Sequence, residues 1–197
     1  MSETFLEEMK RYVGFTDEDA ATLKEIAPVM EKYIPSMVNK FYEKIQSHEG
    51  TMEVITGGEE QIERLKKTLT TWAKQLFELD YNEDFAEKRF QIGYRHVELE
   101  LDQKYVISAI GVVSDHFMGA AVKEFKDDPE KLERVMNALE KALSINLNLM
   151  CETYTIAMHE KLSKQEQQNL DNFLKITGMS KKLYENMAKS YQKKQQK

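Results

Sequence analysis

RFQIGYRHVELEL, residues 89–101, is the stretch on which the reading of this chain turns. Phe85, Phe90, Ile92 and Leu99 anchor an amphipathic helix over 84–101, and the segment carries a single imidazole, His96. No second metal-ligating histidine or cysteine stands near it, so chemistry at His96 requires a cofactor. Gly93, about one turn earlier, lacks a side chain and would let a flat ring approach the backbone.

Working outward, Tyr42 in NKFYEKI (39–45) is the most useful companion, a phenol that could stand on the opposite wall of the same pocket. One basic nitrogen below and one hydroxyl above suit an iron macrocycle with a bound diatomic gas, and haem needs only one protein ligand on its proximal side. Leu65 and Thr68, three apart in RLKKTLTTW, would add an apolar gate and a second hydroxyl. The plainer alternatives stand beside this reading. A lone helical histidine is commonly a hydrogen-bonded surface or core residue, and a helical tyrosine commonly packs with its hydroxyl at the core's edge. The other histidines are His48, beside a glycine turn, His116, on a helix packing surface, and His159, among charges. None of the four forms an i, i+4 pair or an HExxH pattern, which argues against a multi-histidine metal site.

The whole chain sets the bounds. At 197 residues it fits one domain and an extension, and with 8 glycines and 3 prolines it has room for long uninterrupted helices. The expected class is all-α. A formal charge of −6, from 34 acidic and 28 basic residues, argues against a nucleic-acid surface, and the basic end KSYQKKQQK reads as a solvated terminus. One cysteine, Cys151, excludes an internal disulfide and any multi-thiolate centre. MSETFLEEMKRY lacks the apolar core of a signal peptide, and no stretch reads as ~18 consecutive apolar residues, so no membrane span and a cytoplasmic location are expected. No phosphate loop, serine elbow or isolated acid pair marks an independent enzyme.

The spacing predicts helices over 5–13, from a Thr16/Asp19 capping box, over 34–47 and over 58–79. Gly50 and Gly57-Gly58 bracket a loop or short turn. Asp102 caps the next helix, and Asp128 with Pro129 opens another through Leu162. Val112, Val113, Phe117, Ile145, Leu149 and Tyr154 exceed what one face of these last two helices requires, which predicts a second buried surface and a homodimer. From Ser163 the periodicity persists with a thinner apolar stripe.

With these residues in view, RFQIGYRHVELELDQKYV resembles the signature of the sensor globins, the haem domains of bacterial globin-coupled sensors, with protoglobins as close relatives. Arg89, Ile92, Gly93, His96 and Leu101 match, as do Phe41 and Tyr42 upstream and Leu65 and Thr68 between. Glu100, Gln103, Tyr105 and Val106 stand where glycine, proline, tryptophan and tyrosine are typical. The resemblance implies a globin fold with an extra N-terminal helix over residues 1–160 and a helical linker or tail over 161–197. It implies haem b with His96 as proximal iron ligand, Tyr42 as distal donor, and Leu65 and Thr68 on the distal side; Phe41, Leu69, Ile92 and Gly93 complete the expected cofactor contacts.

The function expected is an oxygen sensor, with carbon monoxide or nitric oxide as competing gases, signalling through a helical dimer interface to an output domain or partner protein. A haem-free scaffold in a stress-signalling complex and an oxygen-handling enzyme such as a nitric oxide dioxygenase are the alternatives.

Overall fold

The computed structural model describes residues 3–195, with side chains through 189, and all regular structure among them is helical. The chain forms two compact units that divide between Tyr154 and Thr155. The first holds α1 (Phe5–Val13), α2 (Asp17–Met30), a single 3-10 turn, α3 (Ile34–Gln46), α4 (Glu49–Met52), α5 (Gly58–Glu78), α6 (Glu83–Glu98) and α7 (Gln103–Phe125). Helix α8 runs Pro129–Thr177 and α9 spans Lys181–Gln195.

Local chemistry sets most helix ends. The Thr16 hydroxyl accepts from the Asp19 amide at 3.4 Å while the Asp19 carboxylate accepts from the Thr16 amide at 2.8 Å, a reciprocal capping box. Lys141 donates to the same carboxylate from α8 at 3.0 Å, so the cap also ties two helices together. Asn82 and Asp102 cap α6 and α7 singly, Asn82 accepting from the Phe85 amide at 3.1 Å and Asp102 from the Lys104 amide at 3.2 Å. The loop expected between Gly50 and Gly57 contains the short helix α4, and no break occurs at Ser163, where α8 continues to Thr177.

Helix α5 packs on α2 and α3, and α7 packs on the same two. Phe77 and Phe117 meet edge to face in the core between α5 and α7, ring centroids 5.2 Å apart. Phe5 of α1 lies 6.1 Å from Phe90 of α6, which seats the N-terminal helix on the segment carrying His96. Helix α7 reaches the length and mean hydropathy (1.4) of a membrane span, yet Val113, Phe117, Ala120 and Ala121 are buried in the chain's own core.

Part of the apolar excess on α7 and α8 has that same explanation. Val113, Phe117, Ile145 and Leu149 are buried inside this chain, whereas Val112 and Tyr154 are half-buried. A helix packed on several sides is apolar around its circumference whether the neighbours belong to its own chain or to another.

Helix α6 stops at Glu98, three residues short of the expected end, and Glu100 takes the left-handed conformation at φ 54°. The Glu100 amide donates to Val97 O at 2.9 Å and the Leu101 amide to His96 O at 3.1 Å, the paired bonds that close a helix through a left-handed residue. Glycine accepts that conformation without a Cβ penalty, whereas glutamate is strained there. Glu100→Gly is therefore expected to stabilise the fold by about 0.5–1 kcal/mol, read as a higher denaturant midpoint at unchanged slope. An unchanged midpoint would mean that the exposed glutamate side chain already offsets the strain.

Candidate functional site

The first unit forms a half-open cavity of about 340 Å³, of the size of a small-molecule or cofactor site. Helix α3 contributes Phe41 and Tyr42, α5 contributes Leu65, Thr68, Leu69 and Trp72, and α6 contributes Ile92, Arg95 and His96. The wall is completed largely by aliphatic side chains, among them Val106 and Val113 of α7 and Met150 of α8. Seven of the eight residues singled out in the sequence thus line one space. Trp72, Arg95 and Met150 were not anticipated as lining residues, because their spacing marks only an amphipathic helix.

Gly93 is the exception, and its expected role changes. It is buried against α8, where an added Cβ would lie 2.5 Å from Met150 O and 3.0 Å from Met150 Cα. The missing side chain admits a neighbouring helix backbone rather than a flat ring. Its effect on the cavity is indirect, since the close contact fixes α6 and with it His96 one turn later.

Arg89 fixes the same helix a turn earlier. The guanidinium is fully buried, with Nε donating to Asn146 Oδ1 of α8 at 2.7 Å and Nη1 to Gln75 Oε1 of α5 at 2.8 Å. It lies 4.4 Å from the centre of the Phe85 ring, and burial pushes its pKa down to about 10. Its recognition as a buried group was not possible from spacing, because Gln75 and Asn146 are distant in the chain.

The polar groups of the cavity differ in how far they are committed. Thr68 donates its hydroxyl proton to Arg64 O at 3.2 Å, so it is a poor second donor. Gln61 Oε1 accepts from the Gly57 amide at 2.6 Å. Among the described residues no partner is assigned to the Tyr42 hydroxyl, and burial raises the phenol's pKa, so it stays a protonated donor at neutral pH. His96 Nδ1 is buried with no partner, and burial lowers the imidazole's pKa, which keeps it neutral and able to ligate. The indole N–H of Trp72 is also buried without a partner.

Among the described residues no cluster of three or more histidine, cysteine, aspartate or glutamate side chains could hold a metal ion. A lone neutral imidazole in an apolar cavity therefore suits a metal that arrives with its other ligands already attached, as in haem. An imidazole that makes no side-chain hydrogen bond and the free phenol fit such a group.

The sequence model of the protoglobin family matches residues 2–160. The chain belongs to the protoglobin family.

The globin domain of a Geobacter sulfurreducens globin-coupled sensor superposes with a TM-score of 0.71 at 31% identity, covering 75% of this chain and 95% of that one. The ferric globin domain of E. coli DosC shares the fold, with a TM-score of 0.61 at 17% identity over 75% of this chain and 97% of that one. The heme-based aerotactic transducer HemAT of Halobacterium salinarum is 22% identical over 171 residues, 80% of this chain. This protoglobin-family chain spans only 35% of that transducer's length. Its first unit thus has the globin fold of sensor domains.

Proposed function

We propose that this protoglobin-family chain is a haem-based sensor of diatomic gas, oxygen first, with carbon monoxide and nitric oxide as competitors. The observation that carries the reading is the pairing, in one apolar cavity, of an imidazole whose ring makes no side-chain hydrogen bond and a phenol with no partner among the described residues. Bound haem b supplies an iron that takes up such gases reversibly. His96 would hold that iron, Tyr42 would donate a hydrogen bond to a polar gas, and Phe41, Leu65, Leu69 and Ile92 would keep water out. Thr68 contributes shape more than a proton, because its hydroxyl is committed to Arg64 O.

We further propose that the chain acts as a homodimer, feeding an output domain or partner protein, rather than as a catalyst. Two exposed apolar residues of α7, Ile107 and Val122, support a second copy on the outer side of that helix. A cytoplasmic location accords with this role.

The test is an absorption spectrum of the purified chain supplied with haem, ferrous, with and without oxygen. A Soret band that shifts with oxygen is expected, and its absence after haem is supplied would sink the reading. Tyr42→Phe is then expected to release oxygen about tenfold faster, the worth of one hydrogen bond of ~1.4 kcal/mol. Carbon monoxide, less polar when bound, should leave at a nearly unchanged rate. Equal effects on both gases in stopped flow would assign Tyr42 to packing.

A further inference from the structure

Haem carries two propionate groups, ionised at neutral pH, and a protein that holds the ring in an apolar cavity must leave these in water or meet them with a cation. Among the described residues lining the cavity, Arg95 is the one with a permanent charge. It precedes His96 on α6, and its side chain is 67% exposed while still contributing to the lining, which sets Arg95 at the edge of the cavity. Its present partner is Glu98, whose carboxylate lies 2.9 Å from Nη1 and is itself 65% exposed. An exposed pair of this kind is weak and readily exchanged.

The cations next to other lining residues, among them Lys44 beside Ile45 and Lys67 beside Thr68, do not themselves line the wall. Lys66, beside Leu65, pairs with Glu63 at 2.7 Å, and Lys104, beside Tyr105, pairs with Asp102 at 2.7 Å. Neither contributes to the wall.

We infer that Arg95 is the carboxylate anchor of the cavity, exchanging Glu98 for a haem propionate while the adjacent His96 takes the iron. A planar guanidinium pairs with a carboxylate through two parallel N–H donors, a geometry lysine cannot reproduce. Glu98 occupies the anchor when no propionate is present and competes with it otherwise. The inference rests on the haem reading and deepens it, since it names the part of the ligand that meets the cavity edge.

The experiment compares the wild type, Arg95→Leu, Arg95→Lys and Glu98→Gln, each loaded with iron protoporphyrin IX or with its dimethyl ester, which has no carboxylates. Transfer of the porphyrin to an excess of a scavenging apo-globin gives the rate of loss. Arg95→Leu is expected to lose the diacid about two- to fivefold faster than the wild type, as suits an ion pair open to water. It should lose the ester at the wild-type rate. Arg95→Lys should fall between, Glu98→Gln should hold the diacid at least as well as the wild type, and added salt should shrink the differences. Equal acceleration for diacid and ester, or none for either, overturns the anchor while leaving the haem reading intact. A wild-type chain that takes up neither porphyrin overturns both.

Discussion

Substitution of His96 by alanine is expected to leave the chain without a stable haem complex, the Soret band of the reconstituted protein falling to the level of free haem. The loss should reach at least about a hundredfold in affinity, beyond the tenfold to hundredfold that follows from removing a group that merely orients a metal ligand. No other histidine can substitute. His116 Nε2 lies 3.0 Å from Ser36 Oγ and 3.2 Å from Tyr33 O, His48 is exposed at the start of α4 and does not line the cavity, and His159 is exposed in the second unit. Imidazole added to the buffer should fill the vacated space and restore the band. An unchanged spectrum in the variant would assign the iron to another residue.

The haem-free protein provides an independent reading of the same residue. Burial lowers the His96 pKa in the fold, so just below about pH 6.5 the unfolded chain binds the proton more readily than the native one. The resulting contribution to stability is present above pH 6.5 and is lost as pH falls toward the depressed folded value. The alanine variant should lack that component, which denaturation midpoints at several pH values would reveal.

Gly93→Ala is expected to destabilise the fold by about 2–3 kcal/mol, although alanine is the better helix former by ~1 kcal/mol. The new methyl would meet Met150 O and Met150 Cα, which are backbone and cannot turn aside, as well as the Thr153 hydroxyl. At ~2–4 °C per kcal/mol, the melting temperature should drop by roughly 5–10 °C. Gly111→Ala supplies the control, since that glycine is also within a helix but has nothing within 4 Å of the added carbon. There the same substitution should raise stability by up to about 1 kcal/mol. If both substitutions had the same sign, the close approach of α6 and α8 would not be what glycine at 93 permits.

The contrast between these two glycines shows what could be read from the sequence. Features set within a turn or two of their own residue were legible: the capping box at Thr16 and Asp19, the Asp102 cap, and the amphipathic faces of α3 and α5. Tyr42, Leu65 and His96 could be brought together because the sensor-globin resemblance links motifs far apart in the chain, a convergence periodicity alone does not encode. What depends on which helix faces which was not legible. Counting apolar residues on α7 and α8 gave an excess without its neighbours: Val113, Phe117, Ile145 and Leu149 turn to the chain's own core, while Val112 and Tyr154 are half-buried. Gly93 was read as space for a ring, whereas the space is taken by α8. Arg89 matched a motif without revealing that its partners are an asparagine on α8 and a glutamine on α5.

Beyond its C-terminus, α6 joins α8 by a short route. The His96 carbonyl accepts from the Leu101 amide at 3.1 Å, and the Leu101 carbonyl accepts from the Tyr154 hydroxyl of α8 at 2.9 Å. Two hydrogen bonds thus separate the backbone of the proposed iron ligand from a helix that runs on to Thr177. An O–H···O bond holds its strength over only about 0.5 Å of separation. Displacing the end of α6 by more than that would either draw Tyr154 along or part its bond.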